Sequence, residues 1–177
     1  MQAAALSKTI DPSQLADSGA VLGGYLPLAK MTRLTQFLLS DAGEVAVELR
    51  FGRDGGGRRF LEGSARIAVT MRCQRCLGAC EQALQAAIRL GIVASEAEAE
   101  RLPAEYDPLI ATDRMRTLEM IEDELILALP LVAMHQDLTA CVPVGAQQGG
   151  GSAAAEDTRR PNPFAVLGQL KNRNDRN

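Results

Sequence analysis

The chain has 177 residues, of which 46% are hydrophobic and 23% charged, with a formal net charge of −3 and a pI near 5.3. This length predicts one domain with flexible additions, and the hydrophobic content excludes wholesale disorder. Residues 1–8 lack the apolar stretch of a secretory signal, and the longest apolar run, residues 125–134, is too short to cross a bilayer. We therefore expect a cytoplasmic protein without membrane contact, whose four cysteines stay reduced and serve as metal or redox groups.

The negative net charge conceals an uneven distribution along the chain. Residues 50–75 carry seven arginines against two acids, a net charge of +5, whereas residues 81–157 have a net charge of −10. Because arginine presents forked donors to phosphate, the basic stretch is a candidate RNA-binding surface. The alternative is a surface that only keeps the protein soluble. The seven candidate residues are Arg50, Arg53, Arg58, Arg59, Arg66, Arg72 and Arg75.

Aromatic residues make up only 3% of the chain, and tryptophan is absent. The stacking surfaces that sequence-specific RNA modules use are therefore not evident. We expect any RNA contact to be directed at the backbone and sensitive to salt, or to be made jointly with a ribosomal protein. Nothing in the composition favours DNA as the partner.

Two short helices are predicted near the N-terminus. Asp11-Pro12 is a typical helix start and predicts a helix over residues 12–17. Gly19 and Gly23-Gly24 then interrupt the pattern. Met31, Leu34 and Leu38 recur at helical spacing and predict a second helix over residues 28–40, which ends before Gly43.

The next fifty residues predict an antiparallel sheet. Apolar residues alternate with polar ones over 45–51, 65–72 and 84–92, the period of half-buried strands. Asp54-Gly55-Gly56-Gly57 predicts a reversal between the first two strands. The pair Cys73 and Cys76 falls in the turn between the last two, so a hairpin carries both thiols at its end.

The strongest helical pattern covers residues 114–129 and ends before Pro130. Its predicted buried stripe comprises Leu118, Ile121, Leu125 and Ala128. Its acidic face is interpreted as solvated, with a carboxylate site as the alternative, and comprises Glu119, Glu122, Asp123 and Glu124. The sequence thus predicts an α+β fold in which an antiparallel meander over residues 44–93 packs against this long helix. Residues 1–144 form the domain, 145–161 a glycine-rich linker, and 162–177 a short helix with a basic tail.

Four residues form a candidate zinc site. Cys73-x2-Cys76 has the spacing of a metal-binding turn, and His135 with Cys141 would complete four ligands. Cys80 is close enough in sequence to replace His135 or Cys141. Two alternatives remain open: thiols that pack as small apolar groups, and a redox pair, which the lack of a thioredoxin-like βαβ pattern disfavours. The chain has neither a Gly-x-Ser-x-Gly motif nor a Walker loop, so we expect no enzymatic activity.

Several strings in order resemble the YceD family of bacterial large ribosomal RNA subunit accumulation proteins. Cys73-Gln-Arg-Cys76-Leu77 is similar to the family's hallmark, and residues 122–131 (EDELILALPL) are similar to its helix, with His135 where members carry His or Cys. Residues 101–106 (RLPAEY) and 162–171 (NPFAVLGQLK) resemble its acidic connection and terminal motif. This chain departs from the pattern in having Cys80 and a glycine- and alanine-rich stretch before Arg159.

The resemblance implies a small cytosolic bacterial protein that supports the synthesis, processing or accumulation of 23S ribosomal RNA. Its partners would be a 23S precursor or the assembling large subunit, and a ribosomal protein whose gene commonly neighbours that of the family. No enzymatic activity is established for the family. The resemblance also implies a metal set of Cys73, Cys76, His135 and Cys141, with a structural zinc ion as the cofactor. The alternative function is an interaction module or chaperone for a basic large-subunit ribosomal protein.

Overall fold

A computed structural model describes residues 4–137, 139 and 141 of the chain. It has a mixed α+β fold with a largely antiparallel sheet, as the sequence predicted. The strands are β1 (Ala4–Ala5), β2 (Thr9–Ile10), β3 (Val21–Pro27), β4 (Glu44–Arg53), β5 (Arg59–Arg72), β6 (Ala79–Val93), β7 (Asp107–Ile110) and β8 (Met115–Arg116). The α-helices are α1 (Pro12–Ser18), α2 (Glu96–Ala99) and α3 (Thr117–Leu127). The predicted linker 145–161 and terminal segment 162–177 lie outside the described residues.

Six strands form the main sheet, in the order β1-β3-β4-β5-β6-β7. β3 to β6 are antiparallel, and the short strands β1 and β7 add to the two edges in parallel. The predicted hairpin is the centre of this sheet, because β5 and β6 pair continuously from Arg59 opposite Ile92 to Arg72 opposite Ala79. The other two strands, β2 and β8, form a separate antiparallel pair.

One apolar cluster lies against one face of the main sheet. Val45, Val47, Leu49 and Phe51 of β4 are buried at alternate positions, as the period of two requires. α1 packs on β4 and β5, and α3 packs on β6. On the opposite face, the even-numbered residues of β5 from 66 to 72 are exposed or half-buried. The hairpin therefore presents one face to the core and one to the surroundings.

The first predicted helix is confirmed as α1, whose first turn is capped by Asp11: its Oδ1 accepts from the backbone N–H of Gln14 at 3.1 Å. The second prediction, one helix over residues 28–40, is wrong. Two 3-10 turns, Leu28–Lys30 and Leu34–Phe37, occupy that stretch. The backbone leaves the helical region at Met31, with φ −89° and ψ 75°, and is extended at Leu38, so a spacing of three or four between apolar residues does not make this stretch one helix.

α3 is shorter than the predicted helix over residues 114–129. It begins only at Thr117, because Met115 and Arg116 are extended in β8 opposite Ile10 and Thr9. The prediction of a fully solvated acidic face is wrong at Glu122, which is 2% exposed. No helix within the described residues is long and apolar enough to cross a membrane.

Candidate metal centre and arginine surface

The turn between β5 and β6 brings the first two thiols together. The backbone N–H of Cys73 donates to the carbonyl of Gly78 at 2.8 Å, and that of Leu77 donates to the carbonyl of Cys73 at 2.9 Å. Leu77 has a φ of +63°, which reverses the chain within this tight loop. Both Cys73 and Cys76 are buried. A hairpin turn folded in this way directs two sulfurs towards one point.

The segment that follows α3 brings the other two candidate ligands to the same point. The backbone N–H of Gln74 donates to the carbonyl of Ala133 at 2.8 Å, and the side-chain amide of Gln82 donates to the carbonyl of Met134 at 2.7 Å. These bonds attach residues 133–134 to the turn and to β6. His135 comes next in the chain and is therefore held beside the turn.

The four candidate ligand atoms of Cys73, Cys76, His135 and Cys141 all lie within 4.8 Å of one another. The Sγ atoms of Cys73 and Cys141 are 3.8 Å apart, and Cys76 Sγ is 3.6 Å from His135 Nδ1. A tetrahedral zinc ion with Zn–S bonds of about 2.3 Å separates two sulfurs by roughly 3.8 Å. The arrangement therefore has the donor types and spacing of a structural zinc site.

The second ring nitrogen of His135 supports this assignment. His135 Nε2 lies 3.0 Å from the carbonyl oxygen of Ala79. A carbonyl only accepts, so Nε2 carries the proton and Nδ1 is left with a lone pair directed at the thiols. Metal-binding histidines commonly donate their other N–H to a carbonyl in this way.

The pKa values of two of the thiols are shifted in opposite directions. Backbone N–H groups, first that of Cys76 and then those of Arg75 and His135, lower the pKa of the Cys73 thiol from 9.0 to about 5. Burial, with the neighbouring Cys76 and Cys73 thiols, raises the pKa of Cys141 from 9.0 to about 11. Two thiolates this close repel each other, so a cation is needed for all three sulfurs to be deprotonated together.

Cys80 lies outside this group. It is buried on β6 opposite Met71, and its Sγ atom is 3.7 Å from the side-chain amide of Gln82. Cys80 occupies a buried position of the alternating strand β6 and belongs to the apolar core. The sequence allowed Cys80 to replace His135 or Cys141 as a ligand. The structure groups His135 and Cys141, and not Cys80, with Cys73 and Cys76.

The seven candidate arginines do not form one surface. Arg53 and Arg59 both bond to Asp17, Arg58 bonds to Asp54 at 3.3 Å, and Arg50 pairs with Glu62. Arg66 donates to the Ser64 hydroxyl at 3.0 Å. Within residues 4–137, 139 and 141, no carboxylate lies at ion-pair distance from three of the seven. Those three are Arg66, Arg72 and Arg75.

The two kinds of arginine lie at different ends of the hairpin. Arg53, Arg58 and Arg59 surround the β4–β5 turn, whereas Arg72 and Arg75 lie at the cysteine turn, roughly 40 Å along the strand at 3.3 Å per residue. Arg66 and Arg72 occupy even positions of β5 and are exposed, as is Arg75. The cations without a carboxylate thus extend from the outer face of β5 to the candidate metal centre.

Sequence reasoning missed the residues that support the site. The carbonyl of Ala79 orients His135, and Gln82 fixes the backbone before it. A backbone carbonyl carries no residue-type signal, and a single glutamine on a strand has many ordinary explanations. Both contacts depend on the fold and could be found only from coordinates.

Fold and site together define a class: a small α+β protein in which a Cys3His group of zinc-site geometry lies at the end of a central hairpin. The family described as "Large ribosomal RNA subunit accumulation protein YceD" matches residues 61–171, a range that contains all four candidate ligands. A protein of that name from Haemophilus influenzae (strain ATCC 51907 / DSM 11121 / KW20 / Rd) is 33% identical over 173 residues, covering 97% of this chain and 99% of the relative. The chain belongs to the YceD family. No solved structure gives a significant match.

Proposed function

We propose that this protein is a non-enzymatic ribosome biogenesis factor that supports the synthesis, processing or accumulation of 23S ribosomal RNA. The observation that carries the proposal is a sequence match over 97% of this chain to a relative named for accumulation of the large ribosomal RNA subunit. The protein acts in the cytoplasm, on a 23S precursor or the assembling large subunit.

The RNA contact is made through phosphate. Arg66, Arg72 and Arg75 are exposed and hold no carboxylate among the described residues, so their guanidinium groups are available to a polyanion. The four arginines that pair with Glu62, Asp17 and Asp54 share three carboxylates, so their charge is partly offset. For these four, RNA contact stays a prediction from sequence, and the three arginines without a carboxylate among the described residues are the primary binding residues.

The metal centre supports this surface without catalysing a reaction. Cys73, Cys76, His135 and Cys141 would hold a zinc ion, which when bound supplies a rigid tetrahedral cross-link. Four protein ligands leave no open coordination position for water or substrate, as in structural rather than catalytic zinc sites. The cross-link would fix the cysteine turn, and with it Arg72 and Arg75, against the segment that follows α3.

Salt-dependent binding tests the RNA contact. The purified protein is titrated onto a 23S precursor transcript at several salt concentrations, beside a triple variant R66Q/R72Q/R75Q. Each phosphate contact contributes roughly 0.7–0.9 to the slope of log affinity against log salt, so the variant should bind more weakly with a slope lower by about 2 to 3.

The matched control removes three charges elsewhere, in R101Q/R114Q/R116Q, and should retain the wild-type slope. If both variants lost the same amount of RNA affinity, the effect would come from net charge and not from the position of the three arginines. A wild-type protein without salt-dependent binding would contradict the RNA contact itself.

A second candidate function is favoured by the acidic segment. A hollow of about 430 Å³ beside α3 has three carboxylates and two arginines in its wall, namely Glu119, Asp123, Glu124, Arg114 and Arg116. Burial, with Asp107 and Asp123 nearby, raises the pKa of Glu124. A cationic side chain bound there would stabilise the charged form of this carboxylate. In this alternative the protein binds a basic ribosomal protein. Partners that survive RNase treatment in a low-salt pull-down would favour it, and RNase-sensitive ones favour direct RNA contact.

A further inference from the structure

An apolar groove lies beside the candidate metal centre, between the C-terminal end of α3 and the end of β5. Its volume is about 510 Å³, within the range of about 300–1,000 Å³ that small-ligand sites occupy. Its wall includes three strongly exposed apolar side chains, Phe37 (55%), Leu127 (80%) and Leu131 (103%). Exposed apolar surface of this extent at one place is typical of a binding site.

The charge around the groove indicates what kind of ligand it binds. Arg72 is the one charged residue among those that line it, and Gln74 adds an exposed amide beside it. The hollow on the other part of α3 is of mixed charge, with Arg114 and Arg116 in its wall beside Glu119, Asp123 and Glu124. The groove itself combines an apolar wall with one cationic side chain, so an anionic ligand with an apolar portion fits it.

The groove also continues the row of arginines that have no carboxylate partner among the described residues. Arg72 lines it, Arg75 follows three residues later, and Arg66 lies six residues earlier on the exposed face of β5. At 3.3 Å per residue, Arg66 and Arg72 are separated by roughly 20 Å. A series of cations of this length beside an apolar hollow matches a chain of phosphates that carries flat apolar groups. A protein segment would need several acidic residues to match the same row.

We propose that the groove binds an unstacked nucleobase of single-stranded RNA, whose backbone phosphate is held by Arg72. This rests on the proposed function and adds to it a preference for single strands. The Phe37 ring and the aliphatic surface of Pro130 and Leu131 contact the faces of the base, and the Gln74 amide is placed to bond to its edge. The scarcity of aromatic residues led us to expect backbone contacts alone, but one exposed ring beside one free arginine is enough for one base.

A base can enter the groove only when it is not stacked in a duplex. The grooves of double-stranded RNA present phosphates, sugars and base edges, whereas the faces of the bases are covered by their neighbours. The full-length protein should therefore bind a short single-stranded RNA at least about tenfold more tightly than a duplex of the same length, because stacking one base on an aromatic ring contributes on the order of tenfold in affinity.

Fluorescence anisotropy with these two labelled RNAs, at one salt concentration, tests the proposal. F37A and L131S change exposed side chains and should each weaken single-strand binding by several-fold, with duplex binding unchanged. R72Q should weaken both. Y25A and R114Q are matched controls, an exposed aromatic residue on β3 and an exposed arginine next to β8, and should bind as the wild type does. Circular dichroism checks that every variant is folded.

The outcomes separate this inference from the proposed function. If the wild type binds both RNAs equally, or if F37A and L131S keep full single-strand affinity, the base site is overturned while RNA binding stands. If the wild type binds neither RNA at low salt, the proposed RNA contact and the base site are both overturned. If the groove kept this protein on the ribosome through contacts that survive RNase, a nucleobase as the occupant of the groove would likewise be contradicted.

Discussion

Glu122 accepts a hydrogen bond from the backbone N–H of Leu34, with 3.0 Å between the nitrogen and Oε1. The same oxygen accepts from the backbone N–H of Arg33 at 2.7 Å, and Oε2 accepts from the Arg33 side chain. One buried carboxylate on α3 thus satisfies the free donors at the start of the second 3-10 turn. It joins the helix to a segment almost ninety residues earlier.

Replacing this carboxylate should be costly. E122A leaves the buried backbone N–H of Leu34 and the part-buried one of Arg33 without an acceptor, so we expect the free energy of unfolding to fall by about 3 kcal/mol. E122Q keeps an acceptor oxygen but loses the charge, and should cost about 1 kcal/mol. Urea denaturation measures both. D123N, on the exposed side of the same helix, should change stability far less, and an equal loss there would contradict the assigned role of Glu122.

Acid should weaken the link between α1 and the hairpin. The Arg59 hydrogen bond, with contributions from Arg53, lowers the pKa of Asp17 below its ordinary value of 3.8. A lowered pKa in the folded state means that the stabilisation is present above about pH 4 and is lost as the pH falls through the folded value. The gap in stability between the wild type and D17N should therefore be constant near neutral pH and close below pH 4. If the difference in stability between the wild type and D17N widened in acid, the stabilising role of the Asp17 carboxylate would be contradicted.

The two classes of cysteine should respond differently to substitution. C76A removes a candidate metal ligand, so the purified variant should lose its zinc and much of its stability. C80A removes a thiol from the apolar core and should keep its zinc, with a loss on the order of 1 kcal/mol for the deleted group. Metal content by mass spectrometry distinguishes them. Zinc retained by C76A and lost from C80A would mean that Cys80 is the ligand.

Gly63 should not tolerate a side chain. A Cβ atom there would overlap the carbonyl oxygen of Glu48, which belongs to the backbone of the neighbouring strand β4. We expect G63A to lower the free energy of unfolding by about 2 kcal/mol, since β4 and β5 must separate to admit the methyl group. G55A, where nothing lies within 4 Å, is its control in the β4–β5 turn. Thermal melts of the two variants should differ clearly.

Local periodicity was enough to predict the hairpin and its turn, because the alternation along β5 and β6 and the pair Cys73 and Cys76 are short-range signals. The same reasoning missed β3, since Gly23-Gly24 is typical of a break. In the fold both glycines are paired, Gly23 opposite Glu48 and Gly24 opposite Val47, and a side chain at Gly24 would meet that of Leu6. A glycine in the sequence cannot show whether the chain turns there or whether a neighbouring segment packs closely against its backbone.

Long-range pairing accounts for most of what the sequence did not predict. Glu122 looked solvated because its partner Arg33 lies 89 positions away. The arginines looked alike in sequence, although Asp17 pairs with both Arg53 and Arg59 while Arg72 remains without a described carboxylate. The Cys3His group is the exception, because the chemistry of its residue types identified it before its geometry was known.

Zinc content combined with thermal stability tests the central claim, that a metal at Cys73, Cys76, His135 and Cys141 cross-links the hairpin to the segment after α3. Native protein purified without added metal should contain about one zinc per chain, and a chelator that removes it should lower the melting temperature, with recovery when zinc is restored. Protein that carries no metal and melts at the same temperature with and without chelator would contradict the claim.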